Sequence, residues 1–179
     1  MSTILAFAGS NASASINYQL VSYASSQITE HSVNLLNLAH YPFPMYSIDL
    51  EQSEGFSNSL REFCASIQKA EGLVLSVSEH NSMPSAYFKN LLDWLSRVDR
   101  QFLANTKVFL MGTSPGQRGA MTAMKAVADL LPRFGAEVIA EFSLPSFGQN
   151  FDQEQGILDA EKKNEFEAVL NRFKQSLSA

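Results

Sequence analysis

Between the apolar run at residues 3–8 and a periodic stretch that begins near Ile16, the chain carries Gly9, Ser10, Asn11, Ser13, Ser15 and Asn17. Hydroxyls and carboxamides in a loop that opens a helix are donors for an anion. The first amides of an α-helix have no internal partner and point along its axis, and the helix dipole places about half a positive charge at that end. A phosphate can be held there without Lys or Arg, with Ser and Asn side chains adding donors. The same residue types also serve folding alone, because Ser and Asn cap helices and Gly suits tight turns. Two later stretches carry similar groups. Ser78, Glu79, His80, Asn81 and Ser82 offer backbone amides, a carboxamide and an imidazole. Ser114, Pro115 and Gly116 form a turn in which Gly116 lets a ligand approach the backbone.

The elements that position these stretches follow from apolar spacing. Residues 3–8, 32–38, 72–77, 107–111 and 136–141 read as strands. Residues 15–29, 57–70, 85–98, a stretch ending near 133, and 160–177 read as helices, with Gly135 as a C-cap. Residues 39–56, 78–84 and 144–159 read as irregular. A loop as long as 39–56 inside a compact domain is usually functional, and Phe43, Met45 and Tyr46 give it side chains to bury. Nearly continuous apolar strands alternating with helices predict a parallel sheet covered on both faces. The expected class is α/β, a flavodoxin-like three-layer sandwich with a five-stranded parallel sheet in the order 2-1-3-4-5, formed by residues 1–179 as a single domain. In such sheets ligands sit beyond the carboxyl ends of the strands, at the switch between strands one and three. The three polar loops all fall there.

Bulk properties narrow the function. At 179 residues with 45% hydrophobic content the chain can bury a substantial core. The net charge of −5 and the absence of a basic block exclude a nucleic-acid surface. Apolar runs are too short to span a bilayer, and the N-terminus has no secretory pattern, so a soluble cytoplasmic protein is expected. Cys64 is alone and reads as a buried, inert thiol. His31 and His40 stand apart from other ligands, so no metal site is expected. The dinucleotide fingerprint G-x-G-x-x-G is missing, since no glycine recurs between Gly9 and Gly55. The phosphate-loop lysine signature is also missing, and no acidic residue follows the first strand as a receiver-type phosphorylation site requires. One phosphate and one flat heterocycle, as in FMN, suit the three loops.

The chain resembles the NADPH-dependent FMN reductase family, which includes bacterial quinone, chromate and azo-dye reductases. Gly9, Ser10, Ser15 and Asn17 are similar to its G-S-x-R-x-x-S-x-N signature. Glu79 and Asn81, followed by Lys89, Asn90, Asp93 and Trp94, are similar to P-E-Y-N with K-N-x-x-D-W. Ser114, Gly116 and Gly119 are similar to its S-x-G-x-x-G turn. Three positions depart from the pattern, with Ala12 for Arg, Ser78 for Pro and His80 for Tyr. The resemblance covers residues 3–140.

It implies that Ser10, Ser15, Ile16 and Asn17 hold the FMN phosphate. Ser78, Glu79, His80, Asn81 and Ser82 would line the ring, mostly through backbone groups, and Ser114, Pro115 and Gly116 would close its other side. It further implies NADPH or NADH as co-substrate, a quinone-like or other small acceptor, and a homodimer or homotetramer. Arg118, with its bidentate fork, is the candidate for a nicotinamide nucleotide phosphate; Arg97 and Arg100 read as surface charges or as further phosphate partners. No catalytic acid, base or nucleophile is assigned, because the flavin carries the chemistry. Lys89 and Asp93, four residues apart, read as an exposed ion pair. The alternative is a flavodoxin-type electron carrier without NAD(P)H turnover; the chain lacks that group's T-x-T-G-x-T loop and strong acidity.

Overall fold

The computed structural model describes residues 2–177. Strands β1 (Thr3–Ala8), β2 (Ser32–Leu36), β3 (Gly72–Val77), β6 (Lys107–Thr113) and β7 (Glu137–Leu144) form one parallel sheet in the order β2-β1-β3-β6-β7. By rank this is 2-1-3-4-5, the expected flavodoxin-like arrangement.

Side-chain alternation along the strands divides the core. Leu5 and Phe7 of β1 and Leu73 and Leu75 of β3 face helices α3 (Asn58–Lys69), α4 (Ala86–Val98) and α5 (Met121–Leu130). Ile4, Ala6 and Ala8 of β1, Val74 of β3 and Phe109 of β6 face α1 (Ile16–Ser26) and α7 (Ala160–Leu177). Both faces are covered, which is why β1 and β3 carry almost no polar residue. On the second face Phe166 and Phe173 of α7 lie 6.1 and 5.9 Å from the Phe109 ring, centroid to centroid.

Helix α7 has the bounds expected from the sequence, and Gly135 sits at φ 96° as a left-handed C-cap. Strand β2 is shorter than expected and β7 longer. Helix α5 ends at Leu130 and passes into a 3-10 turn, Leu131–Phe134. Three stretches expected to be irregular are structured. Residues 39–56 contain α2 (Ile48–Glu54), capped by Ser47, with Asp49 and Glu51 in its first turn and Gly55 at φ 70° after it. Residues 78–84 form a hairpin of β4 (Glu79–His80) and β5 (Met83–Pro84). Residues 144–159 hold α6 (Phe147–Asn150) and a second hairpin, β8 (Phe151–Asp152) with β9 (Gly156–Ile157).

The 42–46 segment is strapped to α4. The Asn90 carboxamide accepts from Tyr46 N (2.8 Å) and donates to Pro44 O (2.9 Å), and Trp94 Nε1 donates to the same carbonyl (2.8 Å). Arg97 holds α2 through Glu51 (Nε to Oε2, 2.8 Å), which also accepts from the Tyr46 hydroxyl (2.9 Å). Arg100 lies over the Phe134 ring, 5.3 Å from its centroid. Cys64 is buried, and that burial pushes its thiol up, in keeping with an inert thiol. The Lys89–Asp93 pair forms at 2.7 Å on the exposed face of α4. No helix among the described residues is long and apolar enough to cross a membrane.

Candidate functional site

A cleft of about 220 Å³ opens at the carboxyl rim of the sheet, where the loops after β1, β3 and β6 meet. Ser10, Ser15, Ile16, Asn17, Ser78, Glu79, His80, Ser114 and Pro115 line it, together with Ala12, Ala14 and Thr113. Residues more than 100 positions apart in sequence thus share one recess. Asn81, Ser82, Gly116 and Arg118 do not line it. The first two form the tip of the β4–β5 hairpin, and Gly116 and Arg118 are exposed in the third loop.

The first loop is pinned at its start. A Cβ on Gly9 would lie 2.8 Å from the Phe88 ring, so only glycine fits against α4. Its carbonyl accepts from Ser85 Oγ (2.7 Å) and its amide donates to Ser76 O (2.8 Å). Beyond it, Asn11, Ala12, Ser13 and Ala14 are exposed, and Ser10 Oγ accepts from Ala12 N (3.2 Å). Ser15 is the N-cap of α1, with Oγ accepting from Tyr18 N (3.1 Å). Among the described residues the amides of Ile16 and Asn17 donate to no protein acceptor. An open first turn facing a recess is an anion seat.

Asn17 is used differently from the expectation. Its side chain, 3% exposed, is engaged inside the protein. Oδ1 accepts from Ser76 Oγ (2.7 Å) and from Thr113 N (3.1 Å), and Nδ2 donates to Thr113 O (3.2 Å). The carboxamide therefore ties the start of α1 to the ends of β3 and β6, and what Asn17 presents as a free donor is its backbone amide. Thr113 in turn donates from Oγ1 to Leu144 O (2.7 Å), adding β7 to the tie. Ser76 was not singled out from the sequence. The available signal was Ser76 itself, a hydroxyl in the otherwise apolar run GLVLSV, since a buried polar group needs a partner.

Residues of the second and third loops complete the lining of the cleft. Asn81 (φ 52°) and Ser82 (φ 64°) both adopt left-handed backbone, as a two-residue hairpin turn with the native twist requires. His80 is exposed on this hairpin. The Glu79 side chain reaches away from the hairpin, its Oε2 accepting from Thr122 N and Ala123 N, both at 3.0 Å. In the third loop Ser146 N donates to Gly116 O (2.9 Å) and Phe147 N to Ser114 O (3.1 Å), so the turn is held from behind.

Its two glycines differ. Gly119 has φ 56°, and a Cβ there would lie 2.4 Å from Ser143 Oγ. Gly116 has no such conflict; its Cβ would meet only Ser114 Oγ, at 3.8 Å. The fold explains Gly119 and sets no such demand on Gly116. Arg118 is exposed and forms no ion pair among the described residues.

The donor set fits FMN in one respect and limits it in another. One anion could rest on the α1 amides, and residues of the second and third loops line the rest of the recess. With Ala12 where the family pattern has Arg, no lysine or arginine lines the cleft.

Residues 2–149 match the sequence profile of the NADPH-dependent FMN reductase family. Over 126 residues the chain is 31% identical to the quinone reductase of Escherichia coli K12, covering 65% of this chain and 66% of that protein, just under two thirds of its length. Over 177 residues it is 28% identical to the probable NADPH:quinone oxidoreductase 2 of Oryza sativa subsp. japonica, covering 93% and 84% of the two chains. The solved flavoenzyme NAD(P)H:(acceptor) oxidoreductase FerB of Paracoccus denitrificans shares the fold, with a TM-score of 0.75 at 19% identity and 98% of each chain covered.

Proposed function

The chain belongs to the NADPH-dependent FMN reductase family, and from that membership we propose that it is an NAD(P)H-dependent FMN oxidoreductase passing electrons to a quinone-like or other small acceptor. The observation that carries this reading is the open first turn of α1 at the rim cleft, an anion seat with no lysine or arginine in it.

Ser10, Ser15 and the amides of Ile16 and Asn17 would hold the phosphate, with the α1 dipole supplying the positive field that Ala12 does not. The hairpin residues Ser78 to Ser82 and the turn at Ser114, Pro115 and Gly116 would bracket the ring, chiefly through backbone groups. When bound, FMN supplies the hydride and electron transfer. The protein's own part is to bind and orient, and no side chain is assigned as acid, base or nucleophile. Arg118 is the cation available to a nicotinamide nucleotide phosphate. Arg97 is engaged with Glu51 and Arg100 with the Phe134 ring, which leaves them surface roles. The protein acts in the cytoplasm as a homodimer or homotetramer, without nucleic-acid partners.

The test is an FMN titration of purified protein followed by anaerobic NADPH. Uptake of FMN and bleaching of its yellow colour are expected. A protein that takes up FMN but stays yellow with both NADPH and NADH is a carrier, and one that takes up no FMN overturns the flavin reading.

A further inference from the structure

Helix α5 begins without a cap of its own. Its N-cap residue, Ala120, sits at φ 65° and ψ 21° and has no side chain able to accept from the first turn. By contrast, α1, α3 and α4 are each capped by the serine that precedes them, Ser15, Ser57 and Ser85. The missing acceptor comes from 43 residues earlier, where Glu79 Oε2 receives the amides of Thr122 and Ala123. Glu79 is also the first residue of β4, in a hairpin whose strands are two residues each. So short a hairpin has no stability of its own. The α5 end is firmly placed, because Ser143 Oγ donates to Gly119 O (2.9 Å) and anchors the preceding loop to β7.

From this geometry we propose that Glu79 is a positioning residue for the flavin site, its side chain fixing the hairpin wall of the cleft at a set distance from the wall formed by Thr113, Ser114 and Pro115. This rests on the flavin reading above. The carboxylate does not touch the ring. It acts through the hairpin backbone, and it closes the positive end of α5 so that α1 remains the end open to a phosphate.

The consequence is a division of labour that two ligands can resolve. Wild type, Glu79→Ala and Glu79→Gln are titrated with FMN and with riboflavin, which lacks the phosphate. Glu79→Ala is expected to weaken both ligands by the same factor, about tenfold, because the ring slot loosens while the α1 seat is untouched. Glu79→Gln is expected to recover most of that loss, since its amide oxygen can accept both N–H groups. Ser15→Ala is expected to weaken FMN and spare riboflavin.

In the ligand-free protein, hydrogen exchange at residues 79–84 and 120–123 should rise together in Glu79→Ala. Glu79→Asp keeps the charge but is one methylene too short, and should behave like Glu79→Ala; it serves if the alanine variant does not fold. The proposal is overturned if Glu79→Ala lowers the melting temperature yet binds both ligands like wild type, which would make Glu79 a helix cap only. A loss confined to FMN, or full activity of Glu79→Asp in binding, also overturns it. A wild-type protein that binds neither ligand removes the flavin reading and this proposal together, and is told apart because the variants are then not needed.

Discussion

Helices α1 and α5 each follow a strand of the sheet, β1 and β6, and α1 residues line the cleft whereas α5 meets it only through Glu79; the two treat their positive ends in opposite ways. At α1 the cap is local: Ser15 takes the amide of Tyr18, and the amides of Ile16 and Asn17, two residues that line the cleft, are unpaired among the described residues. At α5 there is no local cap, and a distant carboxylate takes two amides. A helix end that is left open invites an anion, whereas one filled by a carboxylate repels it. The contrast teaches that the two helix ends differ in polarity, with free amides at α1 and a carboxylate at α5, and on the proposed function the phosphate would take the α1 end.

The strongest way to break the comparison is Asn17→Ala. It strands Ser76 Oγ and the Thr113 amide and carbonyl in a buried setting, and should cost about 3 kcal/mol. Denaturant unfolding checks this, and a loss near zero would mean that the three-way tie does not hold the rim. Next come the glycines. Gly119→Ala should lose about 2 kcal/mol because its φ is left-handed and Ser143 is in the way. Gly116→Ala should leave unfolding within about 0.5 kcal/mol of wild type yet weaken FMN in a fluorescence titration. If both glycines behave alike, the ring end of the cleft is misassigned.

Ser15→Ala should cost about 1 kcal/mol of stability, with a further loss of FMN affinity from the disordered seat. The smallest effect lies away from the cleft, at α2. The Arg97 guanidinium, through its hydrogen bonds, holds the Glu51 carboxyl below the usual carboxylate range. A carboxyl whose folded value is depressed contributes stability at neutral pH and loses it as pH falls through that depressed range. Hydrogen exchange over residues 48–54, corrected for intrinsic rates, should therefore rise on acidification below the ordinary carboxylate value. Arg97→Ala should show the raised exchange already at neutral pH.

What could be read in the chain, and what could not, divides along sequence distance. Strand β3, helix α7, the αL cap at Gly135 and the sheet order were legible because apolar period and turn chemistry are local signals. The caps of α2 were local too, with Ser47, Asp49 and Gly55 in plain view. They were overshadowed by Pro42 and Pro44 and by the helix's lack of any fully buried residue. The β4–β5 turn was missed because Ser82 in a left-handed position carries none of the glycine signal that normally marks such turns. At the site, the meeting of three loops followed from the α/β topology alone. The tasks of Asn17 and Glu79 did not, since their partners lie 96 and 43 residues away and either side chain could as well have faced a ligand.

The β4–β5 tip has a practical consequence for redesign. His80 and Met83 face each other across a two-residue turn and are both exposed, with Met83 57% accessible. Glu79 ties their hairpin to α5, so exchanging them alters the exposed surface without touching that tie. A combinatorial library confined to these two codons, with Asn81 and Ser82 kept as the turn, would vary the exposed surface of the hairpin on a chassis that still folds.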